Sequence, residues 1–159
     1  MADALPDDIA SALAAAANRL GLFRDQVLWF ADVASTNDIA QRYAQQGSGE
    51  GLVVVADHQT AGRGRLGRAW ASPAGAGLYL STVLRPSRES VPLLTIGAGV
   101  ALADGLRAAT GLEPLLKWPN DVWLGTRKLA GILAEADMTP RGVAHVVVGF
   151  GINVSRAAY

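Results

Sequence analysis

Short apolar runs separated by turn residues recur along the chain and predict a series of β-strands. The runs are rich in β-branched and aromatic residues, and some alternate apolar with polar positions, as half-buried strands do. The predicted strands cover residues 27–33, 52–56, 78–84, 115–118, 121–124, 128–136 and 143–150. Several follow one another with little chain between them, which is typical of antiparallel pairing.

Three stretches with helical periodicity interrupt this pattern. The first lies near the N-terminus and should end near Gly21, since glycine is favoured just beyond a helix C-terminus. The second follows three residues that can cap a helix, at positions 35–37, and should stop at Gly47. The third covers residues 90–110. Because strands outnumber helices, we predict an α+β domain with helices packed on a mixed, largely antiparallel sheet.

The composition is that of an ordinary globular domain, and it limits the chemistry. The 159 residues are 50% hydrophobic and 18% charged, which suits one domain with a sizeable core. Lys plus Arg balances Asp plus Glu at 14 each, so net charge gives no argument for a nucleic-acid partner. The absence of cysteine and the presence of only 2 histidines exclude disulfides, thiol catalysis and a histidine-rich metal site.

We expect a cytoplasmic protein that contacts no membrane. We predict that no apolar stretch of the sequence is long enough to span a bilayer. The N-terminus starts acidic and lacks the basic region of a secretory signal peptide. A chain without cysteine also fits a reducing compartment.

The segment 59–77 carries the strongest chemical signal. Its GRGRLGRAW motif alternates glycines with Arg63, Arg65 and Arg68. Glycines let backbone N–H groups approach a ligand closely, and forked guanidinium groups surround phosphate or carboxylate. We therefore predict a functional loop that binds a small anionic ligand. The alternative is a flexible arginine–glycine stretch that binds RNA weakly.

A second motif, Lys117-Trp118-Pro119-Asn120-Asp121, stands between two predicted strands. A lysine at a strand end can stabilise charge on a transferring phosphoryl group. The Pro-Asn pair predicts a tight turn, and plain turn chemistry is the simpler explanation for that part of the motif.

Two further motifs place small residues in predicted strands. KLAGIL puts Gly131 before Ile132 and Leu133, and GFGIN puts Gly149 and Gly151 near a strand end. Small residues at such positions mark a close approach of ligand or backbone. Tight strand packing or an ordinary turn would use the same residues.

Together and in this order, the four motifs resemble those of the biotin–protein ligase family. The segments 35–37 (STN) and 59–62 (QTAG) resemble the family too, so the likeness covers roughly residues 33–154. It implies the α+β fold of class II synthetase-like ligases. It also implies an ATP-dependent biotin–[carboxylase] ligase.

The resemblance implies a reaction in two steps. The carboxylate of biotin attacks the α-phosphate of ATP, giving biotinyl-5'-adenylate and pyrophosphate. A lysine of a biotin carboxyl carrier protein then attacks this mixed anhydride, so no protein nucleophile is required. ATP with Mg²⁺ and biotin are the expected co-substrates, with Mg²⁺ arriving on the ATP phosphates. An exposed edge strand would also allow a homodimer.

The resemblance further assigns residues to three overlapping roles. The candidate catalytic residues are Lys117, Arg63 and Arg65. The candidate biotin-binding residues are Ser35, Thr36, Asn37, Gln59, Gly62, Arg63, Arg65, Lys117, Gly131, Ile132, Leu133, Gly149 and Gly151. The candidate nucleotide-binding residues are Arg63, Arg65, Arg68, Trp70, Lys117, Asn120 and Asn153.

Three features depart from the family pattern. The N-terminus has room for one helix and not for a winged DNA-binding domain, so we expect a ligase without repressor function over residues 1–159. The chain ends soon after GFGIN, where family members continue, so we expect a catalytic domain that is short at its C-terminus. Gly77 stands where a family asparagine is expected.

The glycine-rich loop should be costly to order, because glycine loses more backbone freedom than other residues. We therefore predict that residues 59–77 are mobile without ligand and become ordered on binding biotin or the adenylate.

Other functions stay open at this point. A lipoate or octanoyl transferase-type enzyme shares the fold. A non-catalytic biotin-binding module is an alternative of another class. Nucleic-acid binding through the arginine loop agrees least well with a net charge of zero.

Overall fold

The computed structural model describes residues 1–140 and 142–155, and a seven-stranded sheet forms its centre. The strands are β1 (Val27–Val33), β2 (Val53–Gln59), β3 (Gly77–Leu84), β4 (Leu115–Lys117), β5 (Asp121–Leu124), β6 (Arg127–Thr139) and β7 (Gly142–Asn153). The α-helices are α1 (Asp7–Ala15), α2 (Thr36–Gln45) and α3 (Leu94–Thr110).

The strand order is β1-β2-β3-β7-β6-β5-β4. β1 and β2 are parallel, and every other neighbouring pair is antiparallel. A parallel pair needs a crossover connection, and α2 provides it between β1 and β2. The predicted α+β class with a mixed, largely antiparallel sheet is confirmed.

The two longer helices cover opposite faces of the sheet. Val147 on β7 packs in the core cluster that contains Ala40 and Ala44 of α2. Its neighbours Val146 and Val148 pack in the cluster that adjoins α3. Because successive side chains of a strand point to opposite faces, α2 and α3 lie on different sides of the sheet.

Several element boundaries differ from those predicted. The first helix ends at Ala15, not near Gly21, which instead begins a 3₁₀ turn. β2 runs on to Gln59, because that residue still pairs with Val33 of β1. β7 runs to Asn153 because β3 and β6 flank it on both sides. Partner strands therefore set these boundaries, and the apolar runs do not.

The prediction that no apolar stretch is long enough to cross a bilayer is wrong. The helical stretch Val91–Thr110 has the required length and composition. In the structure it packs against the sheet through Leu94, Ala98 and Leu102, which adjoin the core cluster of β6 and β7. Gly111 ends the helix in a left-handed conformation with φ 71°.

Candidate active site

A cavity of about 340 Å³ lies on the α2 side of the sheet, beneath the loop that joins β2 to β3. Its size is within the range of small-molecule sites. Residues from all the predicted motifs line it. Those predicted from the sequence are Ser35, Thr36, Asn37, Gln59, Arg63, Arg65, Arg68, Trp70, Asn120, Gly131, Ile132, Leu133, Gly149 and Gly151.

The predicted residues Gly62, Lys117 and Asn153 do not line the cavity. The Gly62 carbonyl accepts a hydrogen bond of 2.8 Å from the Trp70 backbone N–H, so this glycine shapes the loop. The Asn153 side chain is buried and donates to the Lys128 carbonyl at 3.1 Å. It therefore ties the end of β7 to the start of β6.

Lys117 lies beside the cavity, at the end of β4. Its ammonium group stacks on the ring of Trp123, 3.8 Å from the centroid. In the strand register Lys117 pairs with Asp121, which pairs with Gly131 in the cavity wall. Two strand spacings separate Lys117 from Gly131, roughly 10 Å between backbones.

A different lysine lines the cavity, and the sequence did not single it out. Lys128 lies 2.8 Å from a carboxylate oxygen of Asp121 and 5.0 Å from the ring centroid of Trp70. The KLAGIL motif begins at Lys128, and this place in the motif was the signal from which its position at the cavity could have been predicted.

The loop between β2 and β3 folds as an irregular hairpin, which we call the arginine hairpin (residues 60–72). Gln59 pairs with Ser72 at its base, and Arg63 pairs with Ala69 nearer its tip. The tip is a 3₁₀ turn at Arg65–Gly67, with Leu66 exposed at φ 58°. This backbone pairing orders a segment that the sequence predicted as an irregular loop.

Trp70 occupies the floor of the cavity. Gly131 and Gly151 are cross-strand partners on β6 and β7, and the indole lies on both. A Cβ atom on Gly131 would meet the ring at 2.8 Å, and one on Gly151 would also overlap it. The glycines of KLAGIL and GFGIN therefore provide a flat surface on which a planar group can lie.

A buried chain of hydrogen bonds forms one wall. The backbone N–H and hydroxyl of Thr36 donate to the Gln59 side-chain oxygen at 2.8 and 3.1 Å, and the Gln59 side-chain nitrogen donates to Ser72 at 2.8 Å. The hydroxyl of fully buried Ser81 lies 2.7 Å from the Thr36 hydroxyl and 2.5 Å from the Asn37 side-chain oxygen. These contacts fix the polar groups that face the cavity.

The chain of hydrogen bonds continues from Asn37 to the arginine hairpin. The Asn37 side-chain nitrogen donates to Glu135 at 2.6 Å. Arg63 donates to both oxygens of Asp38 at 2.9 and 2.7 Å, and to Glu135 at 3.3 and 3.4 Å. The Asp38 hydrogen bond is the largest cause that raises the pKa of Arg63, and Glu135 raises it further. Arg63 is therefore held as a cation by two carboxylates.

The other two arginines of the hairpin are differently placed. Arg65 donates to the Asn120 side-chain oxygen at 3.2 Å, a neutral partner. Arg68 is exposed and lines the cavity. Within residues 1–140 and 142–155, no three His, Asp or Glu side chains are arranged to hold a metal ion.

Comparisons with known proteins show similarity over most of the chain. Residues 29–153 match the Biotin/lipoate A/B protein ligase family. The Bifunctional ligase/repressor BirA of Bacillus subtilis is 42% identical over 134 residues, which are 82% of this chain and 41% of that protein. The Biotin–[acetyl-CoA-carboxylase] ligase of Mycobacterium tuberculosis is 42% identical over 80% of this chain and 48% of that protein. The chain thus spans less than half the length of these curated relatives.

Solved structures show the same fold. The biotin protein ligase of Aquifex aeolicus in complex with biotin and ATP is 35% identical, with a TM-score of 0.65 over 83% of this chain and 53% of that one. The Leishmania major enzyme in complex with biotinyl-5-AMP is 28% identical, with a TM-score of 0.72 over 82% of this chain and 57% of that one. The predicted biotin-ligase-like fold is confirmed.

Proposed function

Since the chain belongs to the biotin/lipoate A/B protein ligase family, we propose that it activates biotin with ATP and transfers biotin to a lysine of a biotin carboxyl carrier protein. One observation carries the proposal. A single cavity combines a wall of buried, hydrogen-bonded polar side chains with a hairpin of three arginines. The polar wall suits an uncharged head group with donors and acceptors, and the arginines suit a carboxylate and phosphates.

Each side of the cavity has a part in the first step. Thr36 and Gln59 would hold the ureido head group of biotin. The face of the Trp70 ring, which lies on Gly131 and Gly151, would take a planar group. Arg65 would face the reacting carboxylate. A carboxylate oxygen then bonds to the α-phosphorus, the bond to the bridging oxygen breaks, and pyrophosphate leaves.

Catalysis would rest on orientation and on stabilising negative charge, since no protein nucleophile is needed. Arg68 would meet the nucleotide phosphates, and Lys117 would reach the α-phosphate from the end of β4. Mg²⁺ bound to the ATP phosphates would supply further charge neutralisation. We also propose a cytoplasmic location, where ATP is at hand.

Calorimetry with biotin, repeated with ATP and Mg²⁺, tests the proposal. We expect biotin to bind, and we expect biotin-dependent exchange of labelled pyrophosphate into ATP. Absence of biotin binding by the folded protein would contradict the proposal.

The same assays distinguish two alternative functions. Binding of lipoate without binding of biotin would identify a lipoate-type enzyme of this family. Biotin binding without pyrophosphate exchange would identify a non-catalytic biotin-binding module.

A further inference from the structure

Arg63 differs from the other arginines of the hairpin in its surroundings. Its guanidinium makes a bidentate contact with Asp38 on α2, at 2.9 and 2.7 Å. It also contacts Glu135 on β6, 3.3 Å from the nearer oxygen. One positive charge therefore faces two negative charges, so the net local charge disfavours an anionic ligand at this guanidinium.

The same contacts join three separate parts of the fold. Arg63 lies on the hairpin, Asp38 in the first turn of α2, and Glu135 near the middle of β6. Glu135 also accepts the hydrogen bond from Asn37, at 2.6 Å. A hairpin held in this way is fixed over the cavity at a point close to its tip.

We propose that Asp38 and Glu135 are positioning residues that clamp Arg63 and hold the arginine hairpin over the cavity, while Arg65 and Arg68 meet the anionic groups of the substrates. This inference rests on the proposed function for its substrate, biotin. Arg63 thereby becomes a structural brace and not a direct ligand of the biotin carboxylate.

The two roles of Arg63 predict opposite effects when a carboxylate is neutralised. If Arg63 braces the hairpin, Asp38→Asn and Glu135→Gln loosen it and weaken biotin binding. We expect the Kd to rise roughly two- to fivefold for each variant, the range for a partly exposed ion pair. If Arg63 binds the carboxylate directly, removing a competing negative charge tightens biotin binding.

Calorimetry with biotin therefore decides between the two roles by the sign of the change. Asp38→Glu keeps the charge and should restore most of the affinity. Asp104→Asn is the matched control, because Asp104 pairs with Arg107 on α3, on the other face of the sheet. It should leave the Kd unchanged.

Trypsin gives a second readout that does not need biotin. Arg65 and Arg68 are exposed cleavage sites at the hairpin tip. We expect cleavage there to accelerate roughly two- to fivefold in Asp38→Asn and Glu135→Gln, and not in Asp104→Asn. Unchanged cleavage, or tighter biotin binding, in both variants would overturn the clamp. If the wild-type protein binds no biotin but the variants are cleaved faster, the clamp stands and the proposed function fails.

Discussion

The indole ring of Trp70 lies against the backbone of Gly151, in the space that a Cβ atom on that glycine would occupy. Gly131, the cross-strand partner of Gly151, supports the other end of the ring. Within the described part of the chain, no acceptor reaches the buried indole Nε1. The ring is thus held by its fit against the two glycines and by the nearby Lys128 ammonium, and not by a hydrogen bond.

A Gly151→Ala substitution should displace Trp70 and weaken ligand binding. Its new methyl group would overlap the ring, which lies on a hairpin and can shift more easily than the strand. We expect at least a tenfold loss of biotin affinity by calorimetry and a changed Trp fluorescence spectrum. Gly97→Ala, on α3 with open space around it, is the control and should keep full affinity. Unaltered affinity in Gly151→Ala would show that this surface is not part of the site.

A Ser81→Ala substitution should destabilise the protein. Ser81 is fully buried and contacts Thr36 and Asn37, so its loss leaves the Asn37 side-chain oxygen without that donor. The free energy of unfolding in urea should fall by about 1–3 kcal/mol. Ser87→Ala removes an exposed hydroxyl bonded to Ser90 and should change stability little. Equal stability of the two variants would contradict the stabilising role of Ser81 in the polar wall.

His145 should make stability depend on pH. It is buried on β7, and burial lowers its pKa, although Asp137 acts in the opposite direction. The unfolded state therefore binds the proton at higher pH than the folded state. The free energy of unfolding should fall as pH drops below about 6.5, the ordinary histidine value, and level off below the folded pKa.

Urea unfolding at about pH 8 and about pH 5 measures this effect, because histidine titrates between these values. His145→Gln should flatten the pH dependence, whereas the control His58→Gln, at a partly exposed histidine beside Asp32, should retain it. The same pH dependence in wild type and His145→Gln would rule out this origin.

Lys117→Gln should slow adenylate formation without unfolding the protein. Lys117 is exposed, and its ammonium rests on the Trp123 ring, so its removal costs little stability. Losing a cation from the transition state should lower the pyrophosphate exchange rate by about 10²-fold. Lys128→Gln is the companion variant, since Lys128 lines the cavity. If Lys117→Gln exchanges pyrophosphate at the normal rate and Lys128→Gln does not, Lys128 is the lysine that stabilises the transition state.

Biotin should protect the arginine hairpin from trypsin. The hairpin is glycine-rich and its tip is exposed, so without ligand it should open more often than the sheet. Saturating biotin should slow cleavage after Arg65 and Arg68 by at least tenfold. Equal cleavage rates with and without biotin would contradict the predicted ordering.

The sequence predicted those parts of the site that local motifs encode. The backbone freedom of glycine and the positive charge of arginine are properties of the residues themselves, so a motif shows them directly. GRGRLGRAW and KLAGIL could therefore be predicted to lie at a ligand before any contact was known. The sheet class followed in the same way from the spacing of apolar runs.

Ser81, Asp38 and Glu135 could not be found in this manner. Ser81 reads as an ordinary residue of an alternating strand, and Asp38 as an acid in the first turn of a helix. Asn37 contacts Glu135 from 98 positions away in the chain. Such partners are set by the order of the strands, which the apolar pattern does not specify.

The hydroxyl of Ser81 carries a single hydrogen, and this has a consequence for what the cavity can recognise. Two oxygens compete for that hydrogen, but the Asn37 side-chain oxygen cannot donate one in return, so the hydrogen must point to Asn37. The Thr36 hydroxyl then directs its own hydrogen to Ser81 or Gln59, away from the cavity. Its lone pairs then receive no hydrogen from Ser81 and are left to accept one from another donor. The polarity of the whole wall is thus fixed at one atom, and under the proposed function the guest should offer an N–H group at Thr36.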